Sequence, residues 1–113
     1  MQYSLDYLTP LSIRFDEEAT AYVVYRLPAP KRWQFRTYLS GPDFDDYTET
    51  EQEVSRVRVS LVIDEPTNEP LAIVVPFGPD GQEHAISAVT FRGVVSMVGV
   101  LAQMGFTPIL QTN

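Results

Sequence analysis

The densest group of chemically active side chains lies in an acidic stretch, residues 43–53. It combines carboxylates with two aromatic rings, in the set Asp43, Phe44, Asp45, Asp46, Tyr47, Glu49, Glu51 and Glu53. Carboxylates at this density can hold a calcium ion or dock into a basic site on a partner protein, including a site that normally holds nucleic acid. An EF-hand loop counted from Asp43 would place Thr48 where glycine is needed and Val54 where a bidentate glutamate is needed. We therefore expect no metal, and the stretch is either a docking segment or a solvated acidic loop.

Arginines and tyrosines recur on the polar side of the alternating segments. The candidate set is Arg14, Tyr22, Arg26, Arg36, Tyr38, Arg56 and Arg58. If these segments share one sheet, its open face is basic and aromatic, because alternate residues of a strand point to one side. A planar guanidinium suits phosphate or carboxylate, and an aromatic ring can stack on a base. The set is a candidate anion-binding face; the alternative is an ordinary solvent face neutralised by acids in adjoining turns.

Sequence signatures of catalysis are missing. His84 is the single histidine, and its neighbour Glu83 would point to the opposite face of a strand, so we expect no acid–base pair between them. The chain has no cysteine, no Gly-rich phosphate loop, no G-x-S-x-G and no H-E-x-x-H. We therefore expect a protein that is not an enzyme and that carries no cofactor or metal. A carboxylate pair or pocket assembled only by the fold is the alternative.

Charge and length restrict the classes of partner and compartment. The net charge of −7 argues against binding to nucleic acid or to an anionic membrane. The first ten residues have no basic segment followed by an apolar one, which predicts no secretory signal, and the lack of cysteine suits a reducing compartment. We expect a cytoplasmic protein, or a virion protein if the source is a phage. A chain of 113 residues predicts a single domain.

Strand periods organise most of the chain. Alternating apolar and polar residues predict strands over 11–15, 19–27, 32–39 and 54–63. The first two form a predicted hairpin, with Leu11, Ile13 and Phe15 on one face of the first strand, as a half-buried strand requires. In the third, Trp33 and Phe35 face inward.

The remaining segments are turns, loops and shorter strands. Pro28 and Pro30 predict a break in the sheet, because proline cannot donate a ladder hydrogen bond. Residues 71–75 are apolar throughout and predict a strand covered on both faces. We expect a loop over 40–53, turns at 64–69 and 78–81, and short strands at 82–86 and 107–111.

Residues 87–106 give the single good helix signal. Apolar residues recur at three-and-four spacing and cover most of the predicted helix, Ser87 or Thr90 can cap its first turn, and Gly105 ends it. A small or polar stripe remains, formed by Arg92, Ser96, Gly99 and Gln103. This stripe is a candidate seam between copies of the protein. Alternatively, it lets the helix lie close to its own sheet.

These patterns predict an α+β domain in which a mainly antiparallel sheet of five to seven strands packs on one long C-terminal helix. A β-sandwich with one helix is the alternative. For function, we expect a non-enzymatic binding or structural protein, a homo-oligomer or a subunit of a larger assembly such as a phage virion, whose partner is a protein or another copy. The second hypothesis is a small inhibitor or regulator that docks residues 43–53 into a basic site. The third is a small-molecule-binding protein or enzyme.

Overall fold

The computed structural model describes residues 1–15, 17, 21–38 and 47–109. Five antiparallel strands form one sheet in the order β2-β3-β4-β5-β6. Their bounds are β2 Ser12–Phe15, β3 Ala21–Tyr38, β4 Tyr47–Asp64, β5 Glu69–Pro76 and β6 Val89–Arg92. Two further strands, β1 Gln2–Tyr3 and β7 Thr107–Pro108, pair in parallel, and one helix, α1, spans Met97–Gln103. The architecture is α+β or mainly β, with the antiparallel sheet that the sequence predicts.

Strands β3 and β4 form the longest part of the sheet, with 18 residues each. Their register shifts between Arg26 and Lys31, where Pro28 and Pro30 lie. The predicted break is confirmed for the pairing, because residues 27–30 have no partner in β4, as expected where proline cannot donate a ladder hydrogen bond. The strand itself nevertheless continues as one element, Ala21–Tyr38. The predicted loop is wrong over 47–53, which belongs to β4, whereas 40–46 lie outside the described residues.

The long helix predicted over 87–106 is wrong, because only seven residues of it are helical. A short 3-10 helix, Ala85–Ser87, is followed by β6, which pairs with β5. Gly93 then takes φ +75°, a left-handed conformation that glycine adopts without a Cβ clash, and this ends the strand. Ser96, not Ser87 or Thr90, caps α1 by accepting a hydrogen bond from the Gly99 amide at 3.3 Å.

The end of α1 is the one predicted at Gly105. Gly105 has φ +92°, and the amide of Phe106 donates to the carbonyl of Leu101 at 2.9 Å. The amide of Gly105 donates to the carbonyl of Ala102 at 3.1 Å. These two hydrogen bonds form a Schellman motif, which satisfies carbonyls that the helix itself leaves unpaired. Phe106 is buried beside Leu101 in the same hydrophobic cluster.

The core is one hydrophobic cluster that takes members from the sheet and from α1. Valines and an alanine from one face of β4 and β5 share a hydrophobic cluster with α1 residues; the sheet members are Val57, Val59, Ala72 and Val74, and the α1 members are Met97, Val100 and Leu101. Trp33 and Phe35 join the cluster, as their predicted inward orientation requires. Burial of these apolar side chains is the main stabilising contribution to the fold.

The segment before β6 reaches across to β3. Strands β3 and β6 are separated by β4 and β5, yet the 3-10 helix just before β6 contacts β3. The indole N–H of Trp33 donates to the Ser87 carbonyl at 2.7 Å, and the Arg36 amide donates to the Ser87 Oγ at 3.0 Å. The strand predicted over 82–86 is reduced to one bridge, between Phe77 and Glu83, because the chain leaves the sheet there to reach β3.

Strands β1 and β7 bring the beginning and the end of the described chain together. The Thr107 amide donates to the Met1 carbonyl at 2.9 Å, and the Ile109 amide donates to the Tyr3 carbonyl at 2.8 Å. Strand β7 is shorter than the predicted strand 107–111, of which 110 and 111 lie outside the described residues. In the part of the chain that the structure covers, no helix has the length and apolar character that crossing a membrane requires.

Tyr3 gives a first testable prediction. Its side chain is only 2% exposed, and its hydroxyl has no hydrogen-bond partner among the described residues. A buried polar group without a partner lowers stability, so Tyr3→Phe should raise the free energy of unfolding by about 1 kcal/mol. Urea denaturation measures this, with Tyr47→Phe, at an exposed position, as the unchanged control. If Tyr3→Phe is no more stable than the wild-type protein, the conclusion that the buried Tyr3 hydroxyl lacks a hydrogen-bond partner is contradicted.

The same tyrosine predicts a pH dependence. Burial raises the pKa of Tyr3 above its ordinary value of 10.0, because the ionised form is poorly solvated in the core. The fold therefore favours the protonated phenol, so stability is full below about pH 10 and falls as pH rises beyond the pKa of the unfolded chain. This alkaline loss should be smaller in Tyr3→Phe than in the wild-type protein.

Candidate functional surfaces

An exposed group of large apolar side chains lies on the helix-bearing face of the sheet. We call it the apolar patch; its members, with their exposed fractions, are Ile13 62%, Phe15 68%, Leu61 50% and Ile63 56%. Ile13 pairs with Val23, and Val23 pairs with Val59, whose side chain is buried in the core. Paired residues of an antiparallel ladder share a face, and so do alternate residues of one strand. The apolar patch therefore continues the core face of the sheet beyond the helix.

A cavity marks the border between the covered and uncovered parts of this face. Its volume is about 140 Å³, and Val23, Leu61 and Met97 are among the residues that line it. The prediction that Leu11, Ile13 and Phe15 form the covered face of a half-buried strand is wrong, because these side chains are 52%, 62% and 68% exposed. Sequence analysis missed these residues as a surface, since strand alternation gives no signal of how far a helix extends.

The second surface is on the opposite side of the sheet. We call it the arginine face; it contains Arg14, Tyr22, Arg26, Arg56 and Arg58. Arg14 pairs with Tyr22, Arg26 pairs with Arg56, and Arg58 pairs with Val24, two residues from Tyr22 along β3. The structure thus brings five of the seven predicted residues together.

The other two predicted residues, Arg36 and Tyr38, lie beyond the register shift near the end of β3. Arg36 pairs with Glu49 and forms a 3.2 Å ion pair with its carboxylate. The hydrogen bond to Glu49 and, to a smaller extent, the one with Tyr38 raise the pKa of the Arg36 guanidinium. Its charge is therefore used within the chain and is not part of the arginine face.

The glutamates of the acidic stretch are partly neutralised. In the described residues, Glu49, Glu51 and Glu53 alternate along β4, opposite Arg36, Gln34 and Arg32 of β3. Arg32 forms a 3.2 Å ion pair with Glu51. Tyr47 begins β4, where the guanidinium of Arg36 lies 4.8 Å from the centre of its ring. The remaining members, Asp43, Phe44, Asp45 and Asp46, lie outside the described residues, so docking by this stretch stays a prediction.

The four residues of the proposed oligomer seam occupy different elements. Arg92 ends β6, and its guanidinium donates a hydrogen bond to the Asp64 carboxylate at 3.4 Å. This hydrogen bond and, to a smaller extent, the one to Glu69 raise the pKa of Arg92. Ser96 caps α1, and only Gly99 and Gln103 lie within it. A Cβ built on Gly99 would lie 2.9 Å from the Cγ1 of Val94, so the small residue allows close packing inside one chain. The four residues therefore do not form one helical stripe.

His84 and Ser87 form a hydrogen-bonded pair that sequence analysis did not predict. The His84 Nδ1 lies 2.7 Å from the Ser87 Oγ, and the imidazole stacks on Phe35 with ring centroids 4.8 Å apart. The Ser87 Oγ also accepts a hydrogen bond from the Arg36 amide, and the Ser87 backbone carbonyl accepts one from the Trp33 indole N–H. Since both polar groups of Ser87 hold the 3-10 helix against β3, the pair has a structural role.

A larger cavity, of about 340 Å³, lies between β3, β6 and the end of α1. Trp33, Phe91 and Met104 give it an apolar lining, and Lys31 lies at its edge. The Lys31 ammonium donates to the Met104 carbonyl at 3.2 Å. Within the described residues, no group of three histidines or carboxylates is placed to hold a metal ion.

Comparison of the chain with protein-family models, with curated proteins and with solved structures found no match. The geometry of the surfaces is therefore the basis for proposing a function. The apolar patch and the arginine face lie on opposite sides of one sheet, so each can be changed by substitution without altering the other.

Proposed function

We propose that this chain is a non-enzymatic binding or structural protein that associates with further copies of itself through the apolar patch. The observation that carries the proposal is that four large apolar side chains, on one face of the sheet, are each at least half exposed. Single exposed apolar residues are ordinary on a protein surface, whereas a contiguous group continuous with the core is typical of an interface.

The position of β2 supports a second copy as the occupant. Strand β2 is the last strand on its side of the sheet, and it contributes Ile13 and Phe15 to the apolar patch. The outer edge of such a strand presents unpaired amides and carbonyls, which proteins usually protect with lysine, proline or a covering segment. Two β2 strands related by a two-fold axis would pair antiparallel, so that Ile13 and Phe15 of one copy contact those of the other across the new strand pair and are partly covered by them.

Sedimentation equilibrium over a concentration series tests self-association. We expect the wild-type protein to form a dimer or larger closed assembly, and Phe15→Ser to weaken the association by about tenfold to a hundredfold, because a buried aromatic ring is a common interface anchor. The matched control is Ile86→Ser, an equally apolar side chain that is 52% exposed but lies outside the apolar patch.

Two results would contradict this proposal. One is a wild-type protein that stays a monomer at the highest concentration measured. The other is an equal loss of association in Phe15→Ser and in Ile86→Ser, which would place the contact elsewhere on the molecule.

A further inference from the structure

Two arginines occupy paired positions on adjacent strands of the arginine face. Arg26 of β3 and Arg56 of β4 are paired residues, at the last position before the register shift. Like charges directly opposite each other in an antiparallel ladder are destabilising. Such a pair calls for an anion to neutralise it.

The protein does not supply that anion from its described residues. Among them, the carboxylates within 4 Å of an arginine belong to pairs formed by Arg32, Arg36, Arg58 and Arg92. Neither Arg26 nor Arg56 has such a partner there, although the chain carries 15 acidic residues against 8 lysines and arginines. The chain has an excess of acids and leaves this pair without one in the part that the structure describes.

Aromatic rings hold both guanidinium groups in place. The Arg26 guanidinium carbon lies 4.8 Å from the centre of the Tyr7 ring, and that of Arg56 lies 4.9 Å from the centre of the Phe77 ring. A guanidinium that lies over an aromatic ring in a cation–π contact still has N–H groups available to an oxyanion. Beside Arg56, the turn at Gly81 approaches closely, since a Cβ built there would lie 3.8 Å from the Arg56 Nη2.

We propose that Arg26 and Arg56 form a binding site for the phosphate group of a small molecule. A carboxylate is satisfied by one guanidinium fork, whereas a phosphate offers three terminal oxygens and nearly two charges, enough to bridge two forks. A small ligand fits better than a long polyanion, because the net charge of −7 repels an extended chain of phosphates. The site is a function separate from self-association.

The position of the site makes the two proposals independent. Arg56 precedes Val57, which is fully buried on the helix-bearing face, and adjacent strand residues point to opposite sides. The arginine pair therefore lies on the other side of the sheet from the apolar patch. Phe15→Ser should bind phosphate as the wild-type protein does, whatever its state of association.

Isothermal titration with inorganic phosphate and with pyrophosphate tests the site, in chloride buffers of matched ionic strength. We expect saturable binding at one site per chain, tighter for pyrophosphate, and an affinity at least about tenfold lower in Arg26→Gln and in Arg56→Gln, since each removes one charge-assisted fork. The matched control is Arg32→Gln, whose guanidinium is already paired with Glu51 and should leave the affinity unchanged. Lysine at either position keeps the charge but not the fork and should restore binding only in part.

Three results would overturn the site. The first is no binding of either anion by the folded wild-type protein. The second is an equal loss of affinity in Arg32→Gln, which would indicate a general charge effect. The third is an affinity for single-stranded DNA that grows with length beyond that for pyrophosphate, which would show a polyanion to be the ligand.

Discussion

Replacing Trp33 with alanine should lower the free energy of unfolding by about 3–5 kcal/mol. The indole is buried in the main hydrophobic cluster, so alanine leaves a large cavity. The substitution also removes the donor to the Ser87 carbonyl, which holds the 3-10 helix against β3. A buried carbonyl that loses its partner adds to the loss of stability.

Urea denaturation followed by circular dichroism measures this effect. Trp33→Phe is the matched control, because it keeps an aromatic ring in the cluster and loses only the indole N–H and part of the volume. We expect Trp33→Phe to lose about 1–3 kcal/mol, less than the alanine variant. A Trp33→Ala protein within about 1 kcal/mol of the wild type would contradict the buried position of Trp33 and its hydrogen bond to the Ser87 carbonyl.

Leu101→Ala should lower the free energy of unfolding by about 2–5 kcal/mol, the range for a fully buried leucine. Leu101 is among the largest completely buried side chains, and its carbonyl also accepts the Phe106 amide at the end of α1. Alanine keeps the helix propensity, so the loss measures packing between α1 and the sheet.

Val98→Ala on the same helix is the control for this prediction. Val98 is 40% exposed, and a surface substitution of this kind changes stability by about 0.5 kcal/mol or less. Both variants are compared by urea denaturation at equal protein concentration, since association also contributes to apparent stability. Equal effects of the two substitutions would show that α1 does not pack as the structure places it.

Much of the sheet could be predicted from the sequence because local signals and tertiary structure agree there. The alternation around Trp33 and Phe35 places both side chains in the core, and the turn at 78–81 closes with the Gly81 amide bonded to the Gly78 carbonyl at 2.9 Å. The hairpin of β2 and β3 also forms with the predicted antiparallel pairing.

The helix prediction failed where one pattern fits two structures. Over 89–92, a short apolar run is compatible with a helix face and with a strand that has β-branched and aromatic residues. The structure takes the strand, because pairing with β5 is available and Gly93 can then reverse the chain. Ser96 was the usable local signal: a serine three residues before Gly99 can cap the turn that begins at Met97.

The two surfaces required the tertiary structure. Alternation states which residues of a strand share a face, but not which strands lie side by side or where coverage by a helix stops. The pairing of Arg26 with Arg56 depends on the register of two long strands, and the exposure of Phe15 depends on which elements of the fold pack over β2. Neither feature can be predicted from a local sequence pattern.

The parallel pairing of the two short terminal strands has a consequence for the order of assembly. The Met1 amine bonds the Gly105 carbonyl across 104 positions, a contact whose loop-closure cost is among the largest in the molecule. Strands β3 and β4 follow one another in sequence and join at a much lower cost, so we expect them to pair before β1 and β7 do. Tyr3 and Phe106, which lie in or next to these strands and are buried in the fold, are therefore expected to become protected from solvent late in folding, which pulsed hydrogen exchange of their amides would measure.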